Sequence, residues 1–530
     1  MVDVFGVSRG GVVVAPHGAA AEAGAEVLRA GGTAVEAMVA AAAMIAVVYP
    51  HMTHIGGDGF WIISAPGHPP VGIEGCGAAG SRATIETYHR AGHGEIPFRG
   101  PLAALTVPGT VGAWDLALEL ARPLGGRMPV AELIGPAAAV AKAGTPAARS
   151  QAELTTAKLD GLAGQPGFAD VFLVDGKPPE AGTLMRQERL ADTLDHLGRA
   201  GLADFYRGDV GATLADDLES AGSPVTAADI RAFEPRRVKP LTLRIGDADV
   251  FNMPPPTQGL ASLLILGIFE KLGVARGEGF EHVHGLVEAT KRAFRLRDRL
   301  VTDPRPAAPD YLETLTEVAL AREASAIDMR RAAPWPDLSD PGDTIWMGAI
   351  DRNGVAVSFI QSIYWEFGSG VVSPRTGILM QNRGASFRLD PRALNALAPG
   401  RRPFHTLNPA LARFDDGRSL AYGSMGGDGQ PQFQAAIMSR YRFGMGLSPA
   451  VAAPRWLLGR TWGDTSTTLK LEHGFDTDVA EQLARVGHEI ELLPAAAADT
   501  FGHAGMVLRT PRGDIEGAHD PRADGGAALA

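Results

Sequence analysis

Pro334-Trp-Pro-Asp-Leu-Ser-Asp-Pro-Gly-Asp343 runs directly into Thr344-Ile-Trp-Met-Gly-Ala-Ile-Asp351, then Arg352-Asn-Gly354, then Val355-Ala-Val-Ser-Phe-Ile-Gln-Ser-Ile-Tyr364. The first stretch is turn-prone, and the second and fourth read as strands. Asn-Gly between two apolar runs is a strong short-range hairpin signal. A hydroxyl residue that opens a strand behind a turn-prone segment suggests a chain that cuts itself. Cleavage between Asp343 and Thr344 would free an α-amine of pKa about 7.7 to 8.0, suited to act as base for the hydroxyl on the same residue. The same spacing also fits an ordinary strand start.

The text on either side narrows the choice. It contains Gly10-Gly-Val-Val-Val-Ala-Pro-His17, an Ala-rich run over residues 19–37, and Tyr49-Pro-His-Met-Thr-His-Ile-Gly-Gly-Asp-Gly-Phe60. Val107-Pro-Gly-Thr-Val-Gly112 and Met253-Pro-Pro-Pro-Thr-Gln-Gly259 follow. Later come Phe367-Gly-Ser-Gly-Val-Val372, Gly377-Ile-Leu-Met-Gln-Asn382 and Gly423-Ser-Met-Gly-Gly427. In this order the segments resemble the γ-glutamyltranspeptidase family of N-terminal-nucleophile (Ntn) hydrolases, nearly end to end. The resemblance implies an α+β fold, a four-layer αββα sandwich, self-cleaved into a large subunit (1–343) and a small subunit (344–530). The strand pattern alone implies only α plus β.

Bulk properties are those of a soluble globular protein. The chain has 530 residues, 45% apolar and 21% charged, with a net charge of -11, so a sizeable core is affordable. Acidic and basic residues are mixed, which argues against a nucleic-acid partner and gives no attraction to an anionic membrane. Cys76 is the single cysteine, so no internal disulfide can form. The N-terminus shows no secretory signal, and the apolar run over 37–49 is too short to span a bilayer. The cytoplasm is the expected location.

Periodicity predicts two Ala-rich helices over 18–48 broken at Gly31-Gly32, and mostly helices over 109–235. A strand over 246–253 and helices over 259–272 and 282–302 come next. After Thr344, strands are expected over 344–351, 355–364, 408–414 and 419–423, then helices near 430–441 and 476–487. Residues 331–343 read as a processing loop. The Gly/Ala/Asp-rich tail from about 520 is expected to fray.

Carried onto this chain, the resemblance implies that Thr344 attacks the substrate amide with its own α-amine as base. Gly426 and Gly427 would hold the oxyanion through backbone N–H groups. Ser362 would help position the α-amine, or would be an ordinary strand serine. The family's contacts to a γ-glutamyl group are missing: Cys76 stands at the place of its carboxylate-binding arginine and Ser386 at that of its acidic residue. Tyr364 replaces an asparagine or glutamate, and His405 and Thr406 replace paired serines. What remains is Arg383, Tyr364, His405, Thr406 and Trp346, a smaller pocket with one guanidinium suited to an anion. Arg383 equally fits a structural ion pair.

Loss of both charged contacts to an amino acid disfavours γ-glutamyl transfer. The wording around Thr344 and Gln361–Gly370 is most similar to the oxamate amidohydrolase branch of purine and ureide breakdown. Hydrolysis of oxamate to oxalate and ammonia is therefore the expected activity, without cofactor or metal. The two subunits would form a heterodimer, with a dimer of heterodimers as a further state. Rival readings are a γ-glutamyl hydrolase or transpeptidase, a cephalosporin-type acylase, and an unprocessed binding protein of the same fold. His51, His54 and Asp58 have metal-ligand types, but they match a family loop and are expected to be structural. Cys76 is expected to be a small buried residue.

Overall fold

The Asn-Gly turn closes the hairpin it predicts. Asp343–Asp351 pairs antiparallel with Ala356–Tyr364. The Asp351 carboxylate fixes the turn by accepting from the N–H groups of Asn353 (2.9 Å) and Val355 (3.0 Å), and Gly354 supplies the positive φ of 81°. The computed structural model describes residues 5–305, 308–335, 343–460 and 466–530. Of the expected processing loop, residues 336–342 lie outside the described part.

The hairpin occupies the middle of a seven-stranded sheet. In spatial order its strands are Gly526–Leu529, Gly11–Ala15, Asp343–Asp351, Ala356–Tyr364, Asp58–Ser64, Val71–Gly75 and Arg236–Val238. A second seven-stranded sheet faces it, in the order Phe5–Ser8, Ile515–His519, Ala504–Arg509, Ser419–Ser424, Ala410–Phe414, Ala248–Asn252 and Leu241–Ile245. Strand alternation divides the hairpin's side chains. Ile345, Met347 and Ala349 join a core with helical residues such as Met38 and Ile45. Trp346 and Ile350 join Phe60, Ile62, Leu411 and Val507 between the sheets.

Outside the hairpin sheet lie the helices Gly18–Arg29 and Ala34–Val48. Every residue of the second is buried, as expected of a helix that is apolar all round. Its start is fixed by a capping box: Thr33 Oγ1 accepts from Glu36 N, and Glu36 Oε2 accepts from Thr33 N. Outside the facing sheet lie Gly259–Lys271, Phe280–Leu300 and Gly429–Arg442. The layers therefore run helix, sheet, sheet, helix. No helix among the described residues is long and apolar enough to cross a membrane.

Two expectations need correction. The tail does not fray: Gly526–Leu529 is the edge strand beside Gly11–Ala15, with Ala527 and Ala528 buried. A Cβ built on Gly517 would lie 2.5 Å from Val12 and 3.5 Å from Ala527, so small residues suit this edge, and composition alone mistook them for disorder. The strand expected over 246–253 begins instead at Ala248, because Gly246 (φ 55°) turns the chain between Leu241–Ile245 and Ala248–Asn252.

Trp346 sets the spacing between the sheets. A Cβ built on Gly423 would lie 2.1 Å from its indole, and one on Gly505 would lie 2.3 Å away. Gly423→Ala is accordingly expected to destabilise the protein by about 1–3 kcal/mol through overpacking. Denaturant unfolding measures this, and an unchanged midpoint would show that the indole can move aside.

Candidate active site

The hairpin register slips at one point. Asp343 pairs with Tyr364 but Ile345 pairs with Gln361, so Thr344 alone faces both Ser362 and Ile363. Bulges of this kind bend a strand and re-aim its side chains, and they gather near active sites. On the other flank, Ser362 pairs with Asp58. Thr344 has the parity of Trp346, Ser362 that of Ile360, and Asp58 that of Phe60, and all three of those partners face the opposite sheet. Thr344, Ser362 and Asp58 are thus neighbours across three strands, on the inner face, at one end of the sheet. All three are buried. Ser362 Oγ accepts from Tyr364 N at 2.8 Å. Tyr364 has a φ of 82° and Phe367 one of 60°, a left-handed backbone that costs a non-glycine residue about 1–3 kcal/mol and is concentrated at functional sites.

The facing sheet brings the glycine pair to the same end. Trp346, two residues beyond Thr344, meets Gly423, and the strand Ser419–Ser424 runs on into Met425-Gly426-Gly427. Gly426 (φ 118°) and Gly427 (φ 53°) adopt conformations that favour glycine. Their N–H groups donate to no acceptor among the described residues. The carbonyl side of the loop is held firmly: Gln258 Nε2 donates to Gly427 O (2.8 Å), and Arg297 Nη1 donates to Gln258 Oε1 (3.0 Å) and to Asp428 Oδ1 (2.9 Å).

Arg383 stands beside this end of the hairpin and is fully buried. Its guanidinium lies 3.9 Å from the centroid of the Tyr364 ring, and Nη1 donates to Thr406 Oγ1 at 3.1 Å. Nε and Nη2 have no hydrogen-bond partner among the described residues. Burial lowers its pKa to about 10, so it remains a cation at neutral pH. His405 Nε2 bonds Asp58 Oδ2 at 2.9 Å, and burial together with Arg383 and Arg402 drives the imidazole pKa well down, so the neutral ring is the donor. Asp58 Oδ1 accepts from Gly77 N, Gly109 N and Gln381 Nε2. Even with these donors, burial raises the Asp58 carboxyl to about 7. Burial likewise raises the Cys76 thiol. Asp58, Cys76 and His405 could converge on a metal ion, but the neighbouring Arg383 cation disfavours one. Tyr364, Ser386, Arg388, Phe404 and Arg297 line a cavity of about 210 Å³ next to Arg383.

Most of the residues named from the sequence are therefore brought together: Thr344, Ser362, Tyr364, Arg383, His405, Thr406 and the Gly426-Gly427 pair. Trp346 is placed behind them, in the core between the sheets, donating Nε1–H to Ser358 Oγ at 3.0 Å. The backbone of Asp343 is described and its side chain is not. His51 and His54 are loop residues: His51 bonds Ser150 Oγ, His54 Nδ1 accepts from Leu379 N, and burial lowers each to about 3. Asp58, grouped with them in the sequence reading, instead serves the pocket. Gln258 and Gln381 were also missed. The available signal was an ionisable residue set among glycines at a strand start, Gly56-Gly-Asp-Gly59.

Comparison with known proteins fits this geometry. The sequence model of gamma-glutamyltranspeptidase matches residues 20–530. The chain belongs to the γ-glutamyltranspeptidase family. It is 53% identical to the oxamate amidohydrolase proenzyme of Klebsiella pneumoniae subsp. pneumoniae, over 98% of this chain and 99% of that one. It is 38% identical to the glutathione hydrolase-like YwrD proenzyme of Bacillus subtilis, over 97% and 98%. Among solved structures, cephalosporin acylase from Bacillus halodurans superimposes with a TM-score of 0.90 at 31% identity, covering 99% of this chain and 97% of that one. The four layers are thus the Ntn-hydrolase sandwich of the γ-glutamyltranspeptidase family.

Asp58 gives this site a distinctive pH signature. Its folded pKa, about 7, lies above the ordinary 3.8. The folded state therefore keeps a proton that the unfolded chain has released. Stability from this group is complete below the ordinary value and is lost as pH rises through about 7. Asp58→Asn is expected to lose less Tm than the wild type when pH is raised from about 5 to about 8. Parallel Tm–pH curves would show that Asp58 is ionised throughout.

Proposed function

We propose that this chain is a self-cleaving N-terminal-threonine amidohydrolase that converts oxamate to oxalate and ammonia. In maturation, Thr344 Oγ attacks the Asp343 carbonyl carbon. The C–N bond to Thr344 breaks, an ester forms, and water hydrolyses it to leave the Asp343 carboxylate and a free threonine amine. The products are a large subunit of residues 1–343 and a small subunit of 344–530. In turnover, the amine takes the Oγ proton as Oγ attacks the amide carbonyl. The proton passes to departing ammonia, and water releases oxalate from the oxalyl ester. Gly426 and Gly427 stabilise the oxyanion, and Ser362 orients the amine. The Klebsiella relative, an oxamate amidohydrolase proenzyme by name, supports both the processing and the substrate.

One observation carries the choice of substrate. Arg383 spends Nη1 on Thr406 but leaves Nε and Nη2, its side-on fork, without partners among the described residues, inside a buried site. Unsatisfied buried donors are costly, and a carboxylate satisfies such a fork bidentately. Oxamate carries its carboxylate next to its amide, so a carboxylate held by Arg383 keeps the reacting carbon within one bond of the anchor. Tyr364 stacks on the guanidinium, its ring centroid 3.9 Å away, and so covers one face of the anchor.

Thr344→Ala is expected to stay as one chain, whereas the wild type yields a fragment beginning Thr-Ile-Trp-Met. Cleavage of the variant at the same bond would remove Thr344 from the chemistry. Gly427→Pro, which deletes one N–H and cannot adopt the φ of 53°, should lower kcat by at least about 10²- to 10³-fold in folded protein. The wild type should release ammonia from oxamate and little p-nitroaniline from γ-glutamyl-p-nitroanilide. Arg383→Ala should raise KM for oxamate, with only partial rescue by Lys, which lacks the fork. The opposite substrate preference would favour the γ-glutamyl reading.

A further inference from the structure

The chain approaching the scissile bond is held by the helix Phe280–Leu300. Both carboxylate oxygens of Glu288 accept from Ala333 N at 3.2 Å, and Lys291 Nζ donates to Ala333 O at 2.6 Å and to Glu288 Oε1 at 2.7 Å. One residue on, Arg295 Nη2 donates to Pro334 O at 2.7 Å. Trp335 then packs near Phe294, with ring centroids 6.2 Å apart. One residue earlier, Ala332 N donates to Val486 O at 2.9 Å. Residues 332–335 are thus fixed one after another, and Glu288, Lys291 and Arg295 recur at the spacing of one helix face.

The support behind this clamp is also fixed. His284 Nε2 can only donate to Asp328 O (3.0 Å), so His284 Nδ1 accepts and His488 Nε2 donates across their 2.8 Å contact. His284, Glu288 and His488 converge closely enough to suggest a metal. The tautomers and the Lys291 ammonium account for the contacts without one. The same helix carries Arg297, which grips Asp428 and Gln258 behind the glycine pair. One rigid element therefore holds both the incoming chain and the loop that would receive the oxyanion.

We infer that Glu288, Lys291 and Arg295 form a clamp that positions the Asp343–Thr344 bond for self-cleavage and afterwards retains the new C-terminal tail of the large subunit. This rests on the self-cleavage proposed above. Asp343 is itself paired with Tyr364 in the ladder, so the clamp at residues 332–335 and the strand at Asp343 hold the chain on both sides of residues 336–342. The three side chains act through the backbone they hold and are positioning residues.

The test is a pulse–chase in cell-free translation, with conversion of precursor to fragments followed on denaturing gels. Lys291→Met and Arg295→Ala should each slow conversion about tenfold or more, the order expected when a reacting group is displaced. Arg295→Lys should recover most of the rate, because it restores a donor to Pro334 O. Matured Arg295→Ala should show wild-type turnover per small subunit. Lys291→Met strands a buried carboxylate and risks misfolding, so Arg295→Ala, at a half-buried position, decides the matter. Wild-type conversion rates in Arg295→Ala would overturn the clamp. So would slowing matched by an equal loss of Tm and of turnover, without rescue by lysine. Failure of the wild type itself to convert would overturn the self-cleavage reading instead.

Discussion

The Asp58 carboxylate organises the pocket, because four segments remote in sequence converge on it. Gly77, Gly109, Gln381 and His405 all donate to its two oxygens. Asp58 begins a strand, so its position is set by the ladder to Ser362, which in turn lies across from Thr344 at the bulge. The loops carrying Gln381-Asn-Arg383 and His405-Thr406 are thereby referred to the strand ends. Removing that acceptor would leave the donors of several loops buried and unpaired, a larger cost than the loss of a single hydrogen bond.

The electrostatics follow from the same group. Arg383 and Asp58 influence one another without a direct hydrogen bond, so the cation has a nearby counter-charge while its side-on fork is unpaired among the described residues. A direct Arg–Asp pair would have closed the fork and made the site structural. Instead His405, kept neutral, stands between Asp58 and the rest of the pocket as a donor. A carboxylate brought to Arg383 would bring a second negative charge near Asp58, and the raised pKa of that group makes protonation an accessible response.

The parts legible in the sequence were those with a local cause. The hairpin announced itself through Asn-Gly and alternation, and the helices through their period. The bulge at Thr344 could not be read, because register depends on which residues the neighbouring strands offer. Asp58 was lost because its partners lie in four other segments. Trp346 was placed at the pocket from its nearness to Thr344 in sequence, yet strand parity and the glycines at 348, 423 and 505 seat it between the sheets. The tail at 526–529 failed for the opposite reason: its composition resembles disorder, and only the edge it completes gives it structure.

The interleaving of the strands shows why a cut at Asp343–Thr344 is compatible with a stable fold. The strand that begins there is paired on one side with Gly11–Ala15 and on the other with Ala356–Tyr364. Gly11–Ala15, from before the bond, is itself enclosed by Gly526–Leu529 from after it. The facing sheet mixes both parts too, with Phe5–Ser8 at one edge, Ala248–Asn252 and Leu241–Ile245 at the other, and strands from after residue 343 between them. Separating the two pieces would require unpairing strands in both sheets and opening the apolar layer around Trp346 and Phe60. Cutting the one covalent bond removes none of those contacts. It changes only the freedom of the chain end, where a newly formed amine needs room to turn toward the hydroxyl of its own residue.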